Sequence, residues 1–210
     1  MQCTPGDFGA VLFDVGGVLL TNGWDHIERA AVYRHFGLDT GAIGAIEARH
    51  PEPYDLLERD RITFDEYLGE VVFSEPRAFT PSEFLDVVRQ QSKKLPDSAL
   101  GVLGEVAASQ RWVVGLLNNE SRTLHEYRVR QFGLARHLDL QLSSCYVGLR
   151  KPDPAMYRRA LDILGLKGSQ VIFIDDRAGN TDAAAAEGIQ AVQFVGEAPL
   201  RTALRSLGIL

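Results

Sequence analysis

The stretch AVLFDVGG, residues 10–17, is a nearly continuous apolar run that ends in an acid, Asp14, followed by Val15, Gly16 and Gly17. Other runs share this make-up. WVVGLL at 112–117 is followed by Asn118 and Asn119, VIFI at 171–174 by Asp175 and Asp176, and AVQFV occupies 191–195. LDLQLS at 138–143 is a weaker strand candidate. Short apolar runs without polar alternation suit strands covered on both faces, as in a parallel sheet. Helical patterns lie between the runs. Leu100, Leu103, Val106 and Ala107 share one face. Tyr127, Arg130, Gln131 and Leu134 belong to a second helical stretch. Met156, Ala160, Ile163 and Leu164 line a third, with Asp153 placed to cap it and Pro154 in its first turn. Ala183 to Ala186 form a strong helix closed by Gly188. Alternation of strand and helix predicts an α/β fold with a parallel, Rossmann-like sheet sandwiched by helices.

One stretch interrupts the rhythm. Residues 21–95 hold no convincing strand, and a crossover needs only a dozen or so residues. Helix-start signals take their place. Thr63 and Glu66 spell a capping box; Thr80 and Glu83 spell another, with Pro81 at the first helical position. Phe84, Leu85, Val87 and Val88 follow as an apolar stripe. The expected organisation is a catalytic core of residues 1–20 and 96–210, with residues 21–95 inserted as an all-helical subdomain. Trp24, Tyr54, Phe64 and Tyr67 are expected either to line the site or to pack the core of that insert, packing being the expected fate of most.

Composition bounds the function. The chain has 210 residues, 45% of them hydrophobic and 24% charged, which is ordinary globular usage. A net charge of −6 argues against nucleic-acid binding. No apolar run approaches the 18 residues of a membrane span, and residues 1–7 lack the pattern of a secretory signal. A cytoplasmic location is the expectation. Two cysteines, Cys3 and Cys145, exclude a disulfide scaffold and a cysteine-based metal cluster. Reduced thiols are the simpler reading, with a single bridge left open.

In a doubly wound sheet, ligands bind beyond the carboxyl ends of the strands. Asp14, Gly16, Gly17, Asn118, Asn119, Asp175 and Asp176 all fall there, and Lys151 stands in the loop before the Pro154 helix. Each has a bland alternative: Asp14 a turn, Asp175 or Asp176 a helix cap, Lys151 a solvated loop. Together they make an oxygen-rich site that suits Mg²⁺. A hard cation and a lysine neutralise a phosphoryl group. A carboxylate at a strand end can attack phosphorus. Gly16 and Gly17 let backbone amides approach the phosphoryl oxygens.

With these residues in view, the chain resembles the haloacid dehalogenase superfamily. Residues 13–19 (FDVGGVL) are similar to its first motif, Leu116 to Asn119 to its second, Arg150 to Pro154 to its third, and residues 173–182 (FIDDRAGNTD) to its fourth, in family order. The resemblance implies a Rossmann-like core with a helical cap inserted after the first motif. It implies that Asp14 is the nucleophile and a magnesium ligand, that the Gly16 carbonyl is a second ligand, and that Asp176 is the direct carboxylate ligand. Asp175 is implied as a ligand or water-mediated partner. Lys151 would hold the phosphoryl oxygens and the charge of Asp14. Asn118, with Asn119 beside it, stands where the family has Ser or Thr to bind a phosphoryl oxygen.

Two departures follow. Most phosphatases of the family carry a second Asp two positions after the nucleophile, as general acid and base. Here that position is Gly16, and such help is worth about 10²–10⁴-fold. The other departure is Asn118, whose amide can still donate to a phosphoryl oxygen. The expected activity is Mg²⁺-dependent hydrolysis of a small phosphorylated metabolite through an aspartyl phosphate, by a monomer or homodimer. Either the leaving group needs little protonation, as in an anomeric or acyl phosphate, or another acid substitutes. Asp25, His26 and Glu120 are candidates by position. The alternatives are a degenerate member that binds a phosphorylated ligand without turnover, and a 2-haloacid dehalogenase. The dehalogenase branch works without metal and keeps no paired acid in the fourth motif, so Asp175-Asp176 argues against it.

Overall fold

The computed structural model describes residues 8–210; Cys3 and the amino-terminal segment read above lie outside them. Five strands form one parallel sheet in the order β3-β2-β1-β4-β5. They are β1 (Ala10–Phe13), β2 (Val113–Asn118), β3 (Leu140–Ser143), β4 (Val171–Asp175) and β5 (Gln190–Gln193). In register, Ala10 faces Val113 on one side and Val171 on the other. The absence of alternation is explained by burial on both faces. Val11, Phe13, Val114, Leu116, Ile172 and Ile174 pack beneath α6 (Leu100–Ser109) and α11 (Glu197–Ser206). Ala10, Leu12, Leu117, Leu142, Val171 and Phe173 pack beneath α9 (Pro154–Leu164) and α10 (Ala178–Ala186). With α7 (Arg122–Gln131) and the short α8 (Ser144–Val147), the α/β architecture is complete.

Between β1 and α6 come five helices: α1 (His26–His35), α2 (Thr40–Arg49), α3 (Pro51–Glu58), α4 (Phe64–Val71) and α5 (Pro81–Gln90). Both capping boxes form as spelled, at Thr63/Glu66 and Thr80/Glu83. The five helices pack on a separate apolar cluster that includes Trp24, Tyr33, Ile46, Phe64, Tyr67, Phe84 and Val88. The two connections to the sheet run side by side. Thr21 N donates to Lys93 O at 2.9 Å, and Leu20 bridges Lys94 antiparallel.

Some details correct the sequence reading. Leu134 lies outside α7, in a 3₁₀ turn (Leu134–His137) that follows Gly133 at φ 60°. The buried face of α7 is Leu124, His125 and Arg128, while Arg130 is exposed. In α9 the buried residues are Met156, Tyr157 and Ala160, and Ile163 is 49% exposed. The last strand ends at Gln193, leaving Val195 outside it and exposed. Cys145 is buried, and burial pushes its thiol up to about 11.

Candidate active site

Three strand ends and one loop meet on one rim of the sheet. Asp14 follows β1 and is held by its own backbone, which donates from Asp14 N to Ile174 O at 2.8 Å. Asp175 is the last residue of β4, and Asp176 follows it. Lys151 reaches in from the loop between α8 and α9. Its Nζ lies 2.9 Å from Asp14 Oδ1 and 2.5 Å from Asp175 Oδ2, and the residue is only 4% exposed. Burial works against the lysine charge, but Asp14 and Asp175 hold it protonated above its ordinary range. The Asn119 side chain fixes this lysine from behind, accepting from Lys151 N at 2.8 Å and donating to Lys151 O at 2.8 Å.

The carboxylates are crowded. Asp14, Asp175 and Asp176 each present an oxygen within 4.8 Å of the others. Burial pushes the Asp14 carboxyl up to about 7 against the pull of Lys151, and the charge of Asp175 adds to the rise. Asp176 is raised by burial and then by Asp175. Like charges at this spacing call for a cation. The two acids of the pair differ in their freedom. Asp175 is saturated: it accepts from Lys151, from Arg177 N at 2.8 Å, and from Asn180 Nδ2 at 3.0 Å on both oxygens. Asp176 keeps a buried oxygen, Oδ1, with no hydrogen-bond partner. An all-oxygen donor set with an orphaned carboxylate oxygen fits a hard divalent cation such as Mg²⁺.

Gly17 is required by that packing. Its φ is 72°, and a Cβ there would sit 2.2 Å from Asp176 Oδ2. Gly16 faces the other way, into a cavity of about 90 Å³. Its walls include Asp14, Lys151 and Asn119 from the rim, Asp25, Tyr54 and Glu58 from the helical segment, and Arg128, Arg150 and Arg177. Each arginine already has a carboxylate. Arg150 contacts Asp55 at 2.5 Å and Glu58 at 2.6 Å, Arg177 contacts Asp25 at 2.7 Å, and Arg128 contacts Glu120 at 2.6 Å.

The structure therefore brings Asp14, Gly16, Asn119 and Lys151 to one cavity, with Asp175 and Asp176 beside them. Asn118 ends β2, buried, with Oδ1 unpartnered, and is not on the cavity wall. The Asn119 amide is spent on the Lys151 backbone. Of the three substitutes for the missing acid, only Asp25 faces the cavity. The His26 side chain is 75% exposed and borders a separate apolar groove on α1 and α2. Glu120 lies behind Arg128, where burial raises its carboxyl to about 7. Tyr54, one of four aromatics weighed for the site or for the core of the insert, lines the cavity, whereas sequence reasoning assigned no role to Asn22, Glu58, Arg128, Arg150, Arg177 or Asn180. Arg150, Arg177 and Asn180 stand within the third and fourth motifs, which was a signal. The others carry none in the sequence. Among the described residues, no helix is long and apolar enough to cross a membrane.

Several known proteins are similar to this chain in sequence or in fold. Acyl-CoA dehydrogenase family member 10 of Mus musculus is 27% identical over 202 residues, covering 89% of this chain and 18% of the mouse protein. The chain thus spans less than a fifth of that relative. Sesquiterpene phosphatase astK of Aspergillus oryzae is 28% identical over 211 residues, covering 98% of each chain. The crystal structure of the haloacid dehalogenase family enzyme bt-2542 of Bacteroides thetaiotaomicron superposes with a TM-score of 0.76 at 18% identity, covering 89% of this chain and 93% of that one. That enzyme has also been crystallised in complex with magnesium and inorganic phosphate. The family model of haloacid dehalogenase-like hydrolases matches residues 8–188. The chain belongs to the haloacid dehalogenase-like hydrolases.

Proposed function

We propose that this hydrolase is a Mg²⁺-dependent phosphatase of a small phosphorylated metabolite, acting through a phosphorylated Asp14. The observation that carries the reading is the Lys151 ammonium, held between Asp14 and Asp175 at the mouth of a polar cavity. Asp14, the Gly16 carbonyl and Asp176 would hold the metal, with Asp175 as the buried anchor that orients Lys151. Bound there, Mg²⁺ would neutralise the phosphoryl oxygens and the mutual repulsion of the carboxylates.

Lys151 binds a phosphoryl oxygen, favours the ionised form of Asp14 and aims it. An Asp14 oxygen attacks phosphorus, and the bond from phosphorus to the ester oxygen breaks. The departing oxygen leaves with a proton. Water then attacks the phosphorus of the aspartyl phosphate, freeing inorganic phosphate and restoring Asp14. Asn119 acts through Lys151, whose backbone it clamps. The five-helix segment serves as a cap: Tyr54, Glu58 and Asp25 close the cavity above the rim, and their polar chemistry suits a small hydroxylated substrate.

The sesquiterpene phosphatase relative supports phosphate-ester chemistry. A haloacid substrate is disfavoured, because its carboxylate would enter beside three acids with no metal between them. The test is phosphate release from p-nitrophenyl phosphate, acetyl phosphate and a panel of sugar phosphates, with and without EDTA. Turnover that needs Mg²⁺ and is abolished in Asp14→Asn is the expected result. Turnover indifferent to EDTA, or full activity in Asp14→Asn, overturns the proposal.

A further inference from the structure

Phosphate-ester cleavage at this site needs a proton donor for the departing oxygen, and Gly16 supplies none. A Cβ on Gly16 would lie 2.7 Å from Asn22 Oδ1 and 3.3 Å from Asn22 Cα, so Asn22 borders the space a side chain would occupy. An amide can donate a hydrogen bond but carries no transferable proton at neutral pH. Apart from Asp14, the carboxylates on the cavity wall are Asp25 and Glu58.

Asp25 is committed elsewhere. It caps α1 by accepting from His26 N at 2.7 Å, and its other oxygen lies 2.7 Å from Arg177. Burial opposes its charge, but the His26 amide and Arg177 hold its carboxyl below the ordinary range, so it has no proton to give. Glu58 is different. It closes α3, is 3% exposed, and faces the cavity that Asp14 and Lys151 line. Its Oε2 is 2.6 Å from an Arg150 nitrogen but is not aligned for a hydrogen bond with any partner. Burial pushes its carboxyl up despite the attraction of Arg150 and a hydrogen bond from Tyr54. The pairing is positional as well. Arg150 precedes Lys151 in the chain, so the end of α3 is tied to the loop that delivers the phosphate-binding lysine.

We propose that Glu58 is the acid–base residue of this site, supplied by α3 in place of the one that Gly16 lacks. This rests on the phosphatase reading. As the bond from Asp14 to phosphorus forms and the ester bond breaks, the Glu58 carboxyl passes its proton to the departing oxygen. The resulting carboxylate then takes a proton from the water that attacks the aspartyl phosphate, and Glu58 returns to its acid form.

The experiment compares kcat/KM for a sugar 6-phosphate, whose alkoxide needs a proton, with that for p-nitrophenyl phosphate, whose phenolate does not. In Glu58→Gln, kcat/KM for the sugar phosphate is expected to fall by about 10²–10⁴-fold. The loss for p-nitrophenyl phosphate is expected to stay below about tenfold, since no acid is needed in that first step. A burst of p-nitrophenolate, one per enzyme, should precede slow turnover, because the second step has lost its base. Glu58→Asp should recover part of the sugar-phosphate activity. Asp14→Asn should lose both substrates alike. Equal losses on both substrates in Glu58→Gln would assign Glu58 to holding Arg150 and overturn the proposal, as would no loss on the sugar phosphate. A wild-type chain that hydrolyses only activated donors overturns the role of Glu58 and leaves the phosphatase reading standing. Release from no donor at all overturns both.

Discussion

Gly17 shows how little freedom the first motif has. Its backbone is left-handed and its missing Cβ is the space in which the Asp176 carboxylate rests. Gly17→Ala therefore meets two penalties, the positive φ and the collision with Asp176. A loss of about 1–3 kcal/mol in urea unfolding is expected from the strain alone. The displaced carboxylate should also raise the Mg²⁺ concentration needed for half-maximal activity. A variant with unchanged stability and unchanged metal requirement would show that Asp176 does not need its present seat. The residues legible in the sequence share one property with Gly17. Asp14, Asn119 and Asp175-Asp176 each follow an apolar strand directly, so the sheet alone brings them to one rim. Lys151 was legible through its motif. Glu58 and Asn22 were not, because the face that α3 turns to the cavity is set by packing and not by the local pattern.

At the level of elements, the strands were readable because burial on both faces removes polar positions from them. The capping boxes at Thr63 and Thr80 were readable because the cap is a local hydrogen-bond pattern. What failed lay at element ends. Gly133 breaks α7 before Leu134, and β5 stops short of Val195. The junction of α2 and α3 carries a device that no local pattern announces. His50 stands there, buried, with Nδ1 2.7 Å from Tyr67 Oη, while Trp24 Nε1 donates to the same oxygen at 2.9 Å. An indole only donates, so Tyr67 accepts from Trp24 and keeps its own proton free to go to His50 Nδ1. Burial, helped by the charge of Arg29, lowers the His50 pKa from 6.5 to about 4. The unfolded chain thus binds a proton that the folded chain refuses over that interval. Stability is full above 6.5 and falls as pH drops toward 4, by at most about 1.4 kcal/mol per pH unit from this group. Urea midpoints measured across the interval should fall less steeply in His50→Gln than in the parent. Parallel slopes would remove His50 from the account.

Across the whole molecule, a set of ion pairs joins the five helices to the sheet side, while Leu124 of α7 packs into their apolar cluster. Arg122 meets Asp60 at 2.7 Å, Arg150 meets Asp55 and Glu58, Arg177 meets Asp25, and Arg59 donates to the Gly148 carbonyl at 3.3 Å. The partly exposed pairs to Asp60, Asp55 and Asp25 contribute about 0.2–1 kcal/mol each and are screened by salt, unlike the buried contact to Glu58. Raising salt from about 0.1 to about 1 M shortens the screening length from about 10 to about 3 Å. Amide hydrogen exchange in α1 and α3 is then expected to accelerate several-fold while the amides of β1 and β4 keep their protection. Uniform protection at both salt levels would show that packing, and not ion pairing, seats the helices.

The arginines around the cavity have a consequence for any anion that enters. Arg150 and Arg177 are engaged by acids from α3 and from the start of α1, so an incoming phosphate finds no vacant cation there and must win one from its present companion. Capture is a trade of counter-charges, not an addition. An anion that drew either arginine away would also part an acid of the helical segment from its partner on the sheet side.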